Sequence, residues 1–250
     1  MLRRLTAWSE SSERRRRIRR VVLEAPVISH AVSALDRRRL QRLEREGDPR
    51  ERSKLRWRGA PPGSGLTWGV ELCGAPVVAA AQEHGIFAPD RTVLEIGPGY
   101  GRVIRACLDR GVAFRRYIGL DVSAQNVAHL RASIDDPRVE FVHGDAESVS
   151  LGEPVDALLS VLTFKHLYPS FEAALANLRP QLQPGAPLMF DLIEGAREYF
   201  HRDRVTFIRE YTRAEVRGIL ERASLELVAF DSIEHAPGRV RLLVVARRPL

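Results

Sequence analysis

The chain has 250 residues, enough to bury one substantial core with an appendage. Its basic charge is confined to the beginning: residues 1–60 carry 18 Lys+Arg against 8 Asp+Glu, a net of +10, whereas residues 61–250 carry 21 against 24, a net of −3. Two cysteines, Cys73 and Cys107, exclude a disulfide framework or zinc spacing, and no apolar run suits a membrane span or a signal peptide, so a soluble cytoplasmic protein is expected.

Residues 1–58 read as a basic helical extension. Arg14–Arg17 stand beside Ile18, Val21 and Val22, which predicts an amphipathic helix ending before Pro26. A second helix is predicted from Val27 to about Glu46 through Ile28, Val32, Leu35, Leu40 and Leu43, stopped by Gly47-Asp48-Pro49. Such a pair can cap an active site, pack on a second subunit in a homodimer, or lie on a membrane surface, and the sequence leaves the three open. Only Lys54 and Lys165 are lysines; the other 37 basic residues are arginine. A GC-rich genome accounts for that bias, the alternative being an anion-binding arm for nucleic acid, membrane or polyanion. Gly59-Ala-Pro-Pro-Gly-Ser-Gly65 marks the domain boundary, and residues 66–250 form the second domain.

That domain opens on Leu66–Leu72, which includes Trp68, and a helix over Ala75–Glu83 that Gly85 stops. A buried strand over 91–96 runs into Gly97-Pro98-Gly99-Tyr100-Gly101, and Val103, Ile104, Cys107 and Leu108 then recur at helical spacing over 101–110. Glycines let a ligand lie against bare backbone, and the helix amides behind them suit polar or anionic groups. Strand two, 117–121, ends in Asp121, twenty residues after Gly101, where a carboxylate can accept hydrogen bonds from both hydroxyls of a ribose. These features suit any nucleoside-containing cofactor. A dinucleotide fingerprint would want a small residue at position 102, and Arg102 stands there.

Ser123 caps a helix over 123–133. Strand three, Val139–His143, turns at Gly144-Asp145, and strand four covers Asp156–Leu162. Thr163-Phe164-Lys165-His166-Leu167-Tyr168-Pro169 follows, at the end of an open α/β sheet where reacting groups gather. Helix 170–178, strand five (187–194), a polar and aromatic insert (195–211), a helix over 213–223 capped by Thr212, and two strands (225–233 and 240–246) around Pro237-Gly238 complete the order.

Val93-Leu94-Glu95-Ile96-Gly97-Pro98-Gly99-Tyr100-Gly101, Gly119-Leu120-Asp121-Val122-Ser123 and His143-Gly144-Asp145-Ala146-Glu147 resemble, in order and spacing, successive motifs of class I S-adenosylmethionine-dependent methyltransferases over roughly residues 66–248. The resemblance implies an α/β, Rossmann-like fold. Its seven-stranded, mostly parallel sheet would have helices on both faces and a C-terminal antiparallel hairpin. It also implies S-adenosylmethionine as cofactor, with Glu95, Gly97, Gly99, Gly101, Asp121, Val122, Asp145, Ala146 and Ser160 around it. Asp145 would accept from the adenine amino group and Ala146 would offer its backbone amide.

Methyl transfer is an in-line displacement, so positioning supplies much of the rate, and a hydroxyl acceptor gains from a nearby base. His166 is the first candidate, because a histidine titrates near working pH and this one follows strand four. His143 and His201 are weaker candidates. Trp68, Lys165, Tyr168, Asp191, Glu194, Arg209 and Tyr211 are assigned to the acceptor side. Asp191 and Glu194 could instead join a further acid around a divalent ion, which is not claimed. Neither the Asn-Pro-Pro-Tyr or Asp-Pro-Pro-Tyr signature nor a Pro-Cys nucleophile is present, which argues against a nucleic-acid acceptor. The sequence is also similar, more loosely, to actinobacterial methyltransferases of sugar and polysaccharide biosynthesis. The expected function is O-methylation of a hydroxyl on a small-molecule or glycan acceptor. The alternatives are an RNA methyltransferase using the Arg-rich N-terminus, and a SAM-binding regulator without turnover.

Overall fold

The computed structural model describes residues 26–58, 74–201, 203–235, 238 and 240–250. The predicted first helix, the boundary loop 59–65, Trp68 and Cys73 lie outside them. Helix α1 (Pro26–Arg45) ends where the sequence places its stop, and α2 (Pro49–Arg58) follows at once. It falls within the helical extension expected over 1–58 and is not delimited separately there. Asp48 starts this helix, its Oδ1 accepting from the Arg50 N–H at 2.8 Å with Pro49 in the first helical position.

The sheet is built from β1 (Thr92–Ile96), β2 (Arg116–Asp121), β3 (Val139–His143), β4 (Ala157–Ser160) and β5 (Pro187–Glu194), all parallel in the order β3-β2-β1-β4-β5. The C-terminal strands β8 (Glu226–Glu234) and β9 (Val240–Arg247) form the expected antiparallel hairpin, and β9 pairs antiparallel with residues 187–192 of β5. The order β3-β2-β1-β4-β5-β9-β8 is thus the seven-stranded sheet that the motifs imply. The insert adds two strands, β6 (Glu198–Phe200) and β7 (Phe207–Tyr211), an antiparallel hairpin that joins the sheet through Ile193 and Glu194 at the tail of β5.

Alternate strand residues face two apolar layers, as period-two side chains must. Leu94, Leu158, Leu188, Phe190 and Val244 pack on α6 (Glu172–Leu178) and α7 (Arg213–Arg222). Val93, Tyr117, Leu159, Met189 and Val245 pack toward α3 (Ala75–Glu83), α4 (Arg102–Asp109) and α5 (Ala124–Ser133). Cys107 lies in this second layer as a small apolar residue. Ser123 caps α5 by accepting from the Asn126 N–H, and Thr212 with Glu215 closes a capping box on α7. Among the described residues no helix is long and apolar enough to cross a membrane.

A third, smaller cluster joins the N-terminal helices to the insert. Leu40 and Leu43 of α1 meet Phe200 and Phe207 of the hairpin, with Tyr168 packed against them. Around this cluster Arg197 Nη2 donates to Asp36 Oδ2 at 2.8 Å, and the Tyr168 hydroxyl donates to Glu44 Oε1 at 2.7 Å.

Candidate active site

The carboxyl ends of β1, β2 and β4 converge on the glycine turn. Gly97, Gly99 and Gly101 all have positive φ (70°, 57° and 77°), a region that L side chains rarely enter. A Cβ at Gly97 would collide with Thr163, and one at Gly101 would come within 2.7 Å of Leu130 Cδ2; Gly99 faces open space. The Gly99 N–H donates to Asp121 Oδ2 at 3.1 Å, and the Ser123 N–H donates to Asp121 Oδ1 at 2.8 Å. Burial raises the pKa of Asp121 despite these donors. Val122 follows, with its carbonyl 3.3 Å from His143 Nε2. Glu95 is buried two residues ahead of Gly97; burial pushes its carboxyl up to about 8, against the lowering charge of Arg102. Its Oε2 has no hydrogen-bond partner among the described residues. Ser160 is also buried, but its hydroxyl donates to the Ile96 carbonyl at 3.3 Å and stitches β4 to β1.

Asp145 and Ala146 follow β3. Asp145 Oδ1 accepts the Glu147 N–H at 3.0 Å, the tight-turn chemistry of an Asp after Gly. Its Oδ2 accepts from Lys54 Nζ at 2.6 Å, and the same ammonium donates to Glu147 Oε2 at 2.7 Å. Arg50 adds a third contact, to Glu147 Oε2 at 3.0 Å. Helix α2 therefore lies directly over the β3 end, with Lys54 only 9 % exposed. Burial opposes the Lys54 charge, but the two carboxylates outweigh it and raise its pKa. Burial likewise opposes the Asp145 charge, and Lys54 with the Glu147 N–H lowers its pKa overall.

Strand β4 is shorter than the sequence predicts. The chain turns at Leu162, whose φ is 60°, and the Asp191 carboxylate accepts the Leu162 N–H across the turn. Phe164–His166 then forms one 3-10 turn in which all three side chains are buried. His166 Nδ1 lies 2.7 Å from the Phe207 carbonyl, and the Trp57 ring of α2 covers its imidazole at 4.4 Å between centroids. Burial and the neighbouring Lys165 hold the His166 pKa well below its ordinary value. Lys165 is itself buried, and desolvation lowers its ammonium to about 7 against the pull of Asp191.

The acceptor-side residues do not gather in one place. Asp191 is committed inside the fold, where it accepts from His235 Nε2 at 3.0 Å as well as from Leu162. Glu194 is exposed and ion-paired with Arg213 at 2.8 Å. Tyr211 packs fully buried against Phe171, a core position and not the surface of a pocket. Arg209 lies over the Tyr211 ring and donates to the Pro169 carbonyl. His143 and His201 are exposed. Lys165 and Tyr168 remain beside His166 on the β4 turn. Among the described residues no three His, Cys, Asp or Glu side chains come together as metal ligands.

Lys54, Trp57 and His235 are not among the site residues expected from the sequence. Their usable signals were weak: Lys54 is one of two lysines among 39 basic residues, and Trp57 is an aromatic in an otherwise polar helix.

A model of a methyltransferase domain matches residues 93–185. This segment holds the glycine turn, Asp121, Asp145 and the β4 turn on the sheet just described. Residues 93–185 are a methyltransferase domain. Among curated relatives, a probable S-adenosylmethionine-dependent methyltransferase of Mycolicibacterium smegmatis is 33% identical over 158 residues, 61% of this chain and 58% of that protein. A fatty-acid O-methyltransferase of the same organism is 32% identical over 101 residues, 40% of this chain and 36% of that protein. The chain thus spans less than two thirds of the length of either relative. Among solved structures, the Burkholderia thailandensis 1,6-didemethyltoxoflavin-N1-methyltransferase, with its acceptor and S-adenosylhomocysteine bound, superposes with a TM-score of 0.61 at 21% identity, covering 74% of this chain and 82% of that one. At that identity the likeness is one of fold.

Proposed function

We propose that this chain is an S-adenosylmethionine-dependent O-methyltransferase acting on a hydroxyl of a carbohydrate-like or other small acceptor. The observation that carries the cofactor reading is the Gly99 N–H donating to Asp121 across a turn of three positive-φ glycines. It sets a ribose-binding acid beside a stretch of bare backbone. The site's polar groups fit that cofactor: Glu95 offers a buried oxygen without a partner among the described residues, suited to an amino group. Asp121 would take the ribose hydroxyls, and Asp145 with Ala146 the adenine edge. When bound, S-adenosylmethionine supplies a methyl group on a sulfonium.

The oxygen-acceptor reading rests on His166. A carbonyl oxygen only accepts, so Nδ1 carries the proton in the contact with Phe207, and the Nε2 lone pair is left to receive a hydroxyl proton. Holding the acceptor in line would supply most of the rate, and His166 would take the hydroxyl proton as the methyl group leaves the sulfonium. The O-methyltransferase named among the relatives supports the same element. Lys165 and Tyr168 flank His166 and would contact the acceptor.

Calorimetric titration with S-adenosylhomocysteine tests the cofactor reading. Wild type should bind in the micromolar range, and Asp121→Ala should weaken binding about tenfold or more, the loss of a charge-assisted hydrogen bond. Isotope-labelled S-adenosylmethionine with a panel of hydroxylated acceptors then tests the oxygen reading. Methylated amines as the only products would remove it.

A further inference from the structure

Two cations of α2 converge on the acids that follow β3. Lys54 bridges Asp145 at 2.6 Å and Glu147 at 2.7 Å, and Arg50 reaches Glu147 at 3.0 Å. Both Asp145 oxygens are engaged, one by Lys54 and one by the Glu147 N–H. The Lys54, Asp145 and Glu147 side chains are 11%, 19% and 6% exposed, so water screens these pairs poorly. The same short helix carries Trp57 over His166 at 4.4 Å. One rigid element therefore touches the proposed adenine acid and the proposed base together.

We propose that Lys54 is a latch on the cofactor site: its ion pair with Asp145 holds α2 closed over the β3 and β4 ends, and cofactor binding must break or share that pair. The inference rests on the cofactor reading above, because it needs Asp145 to serve the adenine amino group. An ammonium and an exocyclic amino group are both donors, and they compete for the outward carboxylate oxygen. Lys54 competes as part of the chain, so the free site is held shut and the apparent affinity is scaled down to the open fraction. As Lys54 leaves, α2 moves and Trp57 moves with it, so binding at the adenine end uncovers His166. Cofactor entry would in this way precede acceptor entry.

The test is titration of the full chain with S-adenosylhomocysteine. Wild type, Lys54→Met and Glu147→Gln are compared, with thermal melts verifying that each is folded. Lys54→Met should bind about three- to tenfold tighter than wild type, the range expected for losing one partly buried ion pair. Glu147→Gln keeps Asp145 intact, loosens the grip on Lys54 and should shift affinity the same way by less. Trp57 fluorescence should change on titration of wild type, against a variant with the other tryptophans replaced by phenylalanine. Equal or weaker binding by a folded Lys54→Met, with wild type binding normally, overturns the latch and leaves the cofactor reading standing. No binding by any of the three overturns the cofactor reading, and the latch with it.

Discussion

His166 Nδ1 and the carbonyl oxygen of Phe207 are 2.7 Å apart, a contact between the β4 turn and the insert hairpin. It fixes the tautomer, because the carbonyl must be met by an N–H. His166→Ala should cut turnover about a hundredfold or more while leaving S-adenosylhomocysteine affinity unchanged. Equal turnover in the variant removes His166 from the chemistry.

The pH profile follows from the same burial. The His166 pKa lies well below its ordinary value of 6.5, so the imidazole is neutral and able to accept a proton throughout the neutral range. The acid limb of kcat/KM should therefore have its midpoint below pH 6.5. A midpoint near 7 would instead assign the titration to Lys165, whose ammonium is depressed to about 7. For stability, the neutral imidazole is the form the fold prefers. Its contribution is complete above 6.5 and is lost as pH falls from there through the lower folded value.

Lys165 should cost the fold stability. Its ammonium titrates near 7 when folded and near 10.5 when unfolded, so the folded state binds fewer protons between these values. Stability should rise with pH across that window, and the penalty is complete below 7. Lys165→Met should raise unfolding free energy at pH 7 by about 1–3 kcal/mol and flatten the slope between pH 7 and 10 in denaturant titrations. An unchanged slope would show that the amine stays charged inside the protein.

Asp191 and His235 form a buried pair, with side chains 2% and 1% exposed. Asp191→Ala strands the His235 ring and the Leu162 N–H together. The expected loss is about 3–5 kcal/mol, read from the midpoint of chemical unfolding.

Tyr117 is the opposite case. Its ring fills the second core layer, and its buried hydroxyl has no hydrogen-bond partner among the described residues. Tyr117→Phe should be neutral or stabilising by about 1 kcal/mol, because it removes a desolvation cost without opening a cavity. A drop in melting temperature would reveal a partner for that oxygen.

The sheet was legible because its strands are short apolar runs bounded by glycine and acidic turns, and β1 through β5 fall within one residue of the expected limits except at the end of β4. There the run Val161-Leu162 looks like strand, yet the Leu162 N–H is drawn to Asp191, 29 residues away, a tertiary preference that no local pattern records. The glycine turn and the turn at Asp145 were legible because alternate glycines and an Asp after Gly mark turns locally. The acceptor side was not. Tyr211 and Asp191 carry the residue types of a binding site and serve packing and turn geometry instead. Lys54 and Trp57 escaped notice because their partners lie 91 and 109 positions further along the chain. Two lysines in an arginine-rich chain were the available hint, and both stand buried where α2 or the β4 turn meets the sheet's carboxyl end.

The hairpin of β6 and β7 hangs from only the last two residues of β5, while the remainder of β5 belongs to β4 and β9. Descent can lengthen, trim or replace that appendage without changing the register of a single core strand. The surfaces it meets on α1 lie outside the segment shared with the wider family. Change in that appendage is thereby freed from the constraints on how the sheet folds.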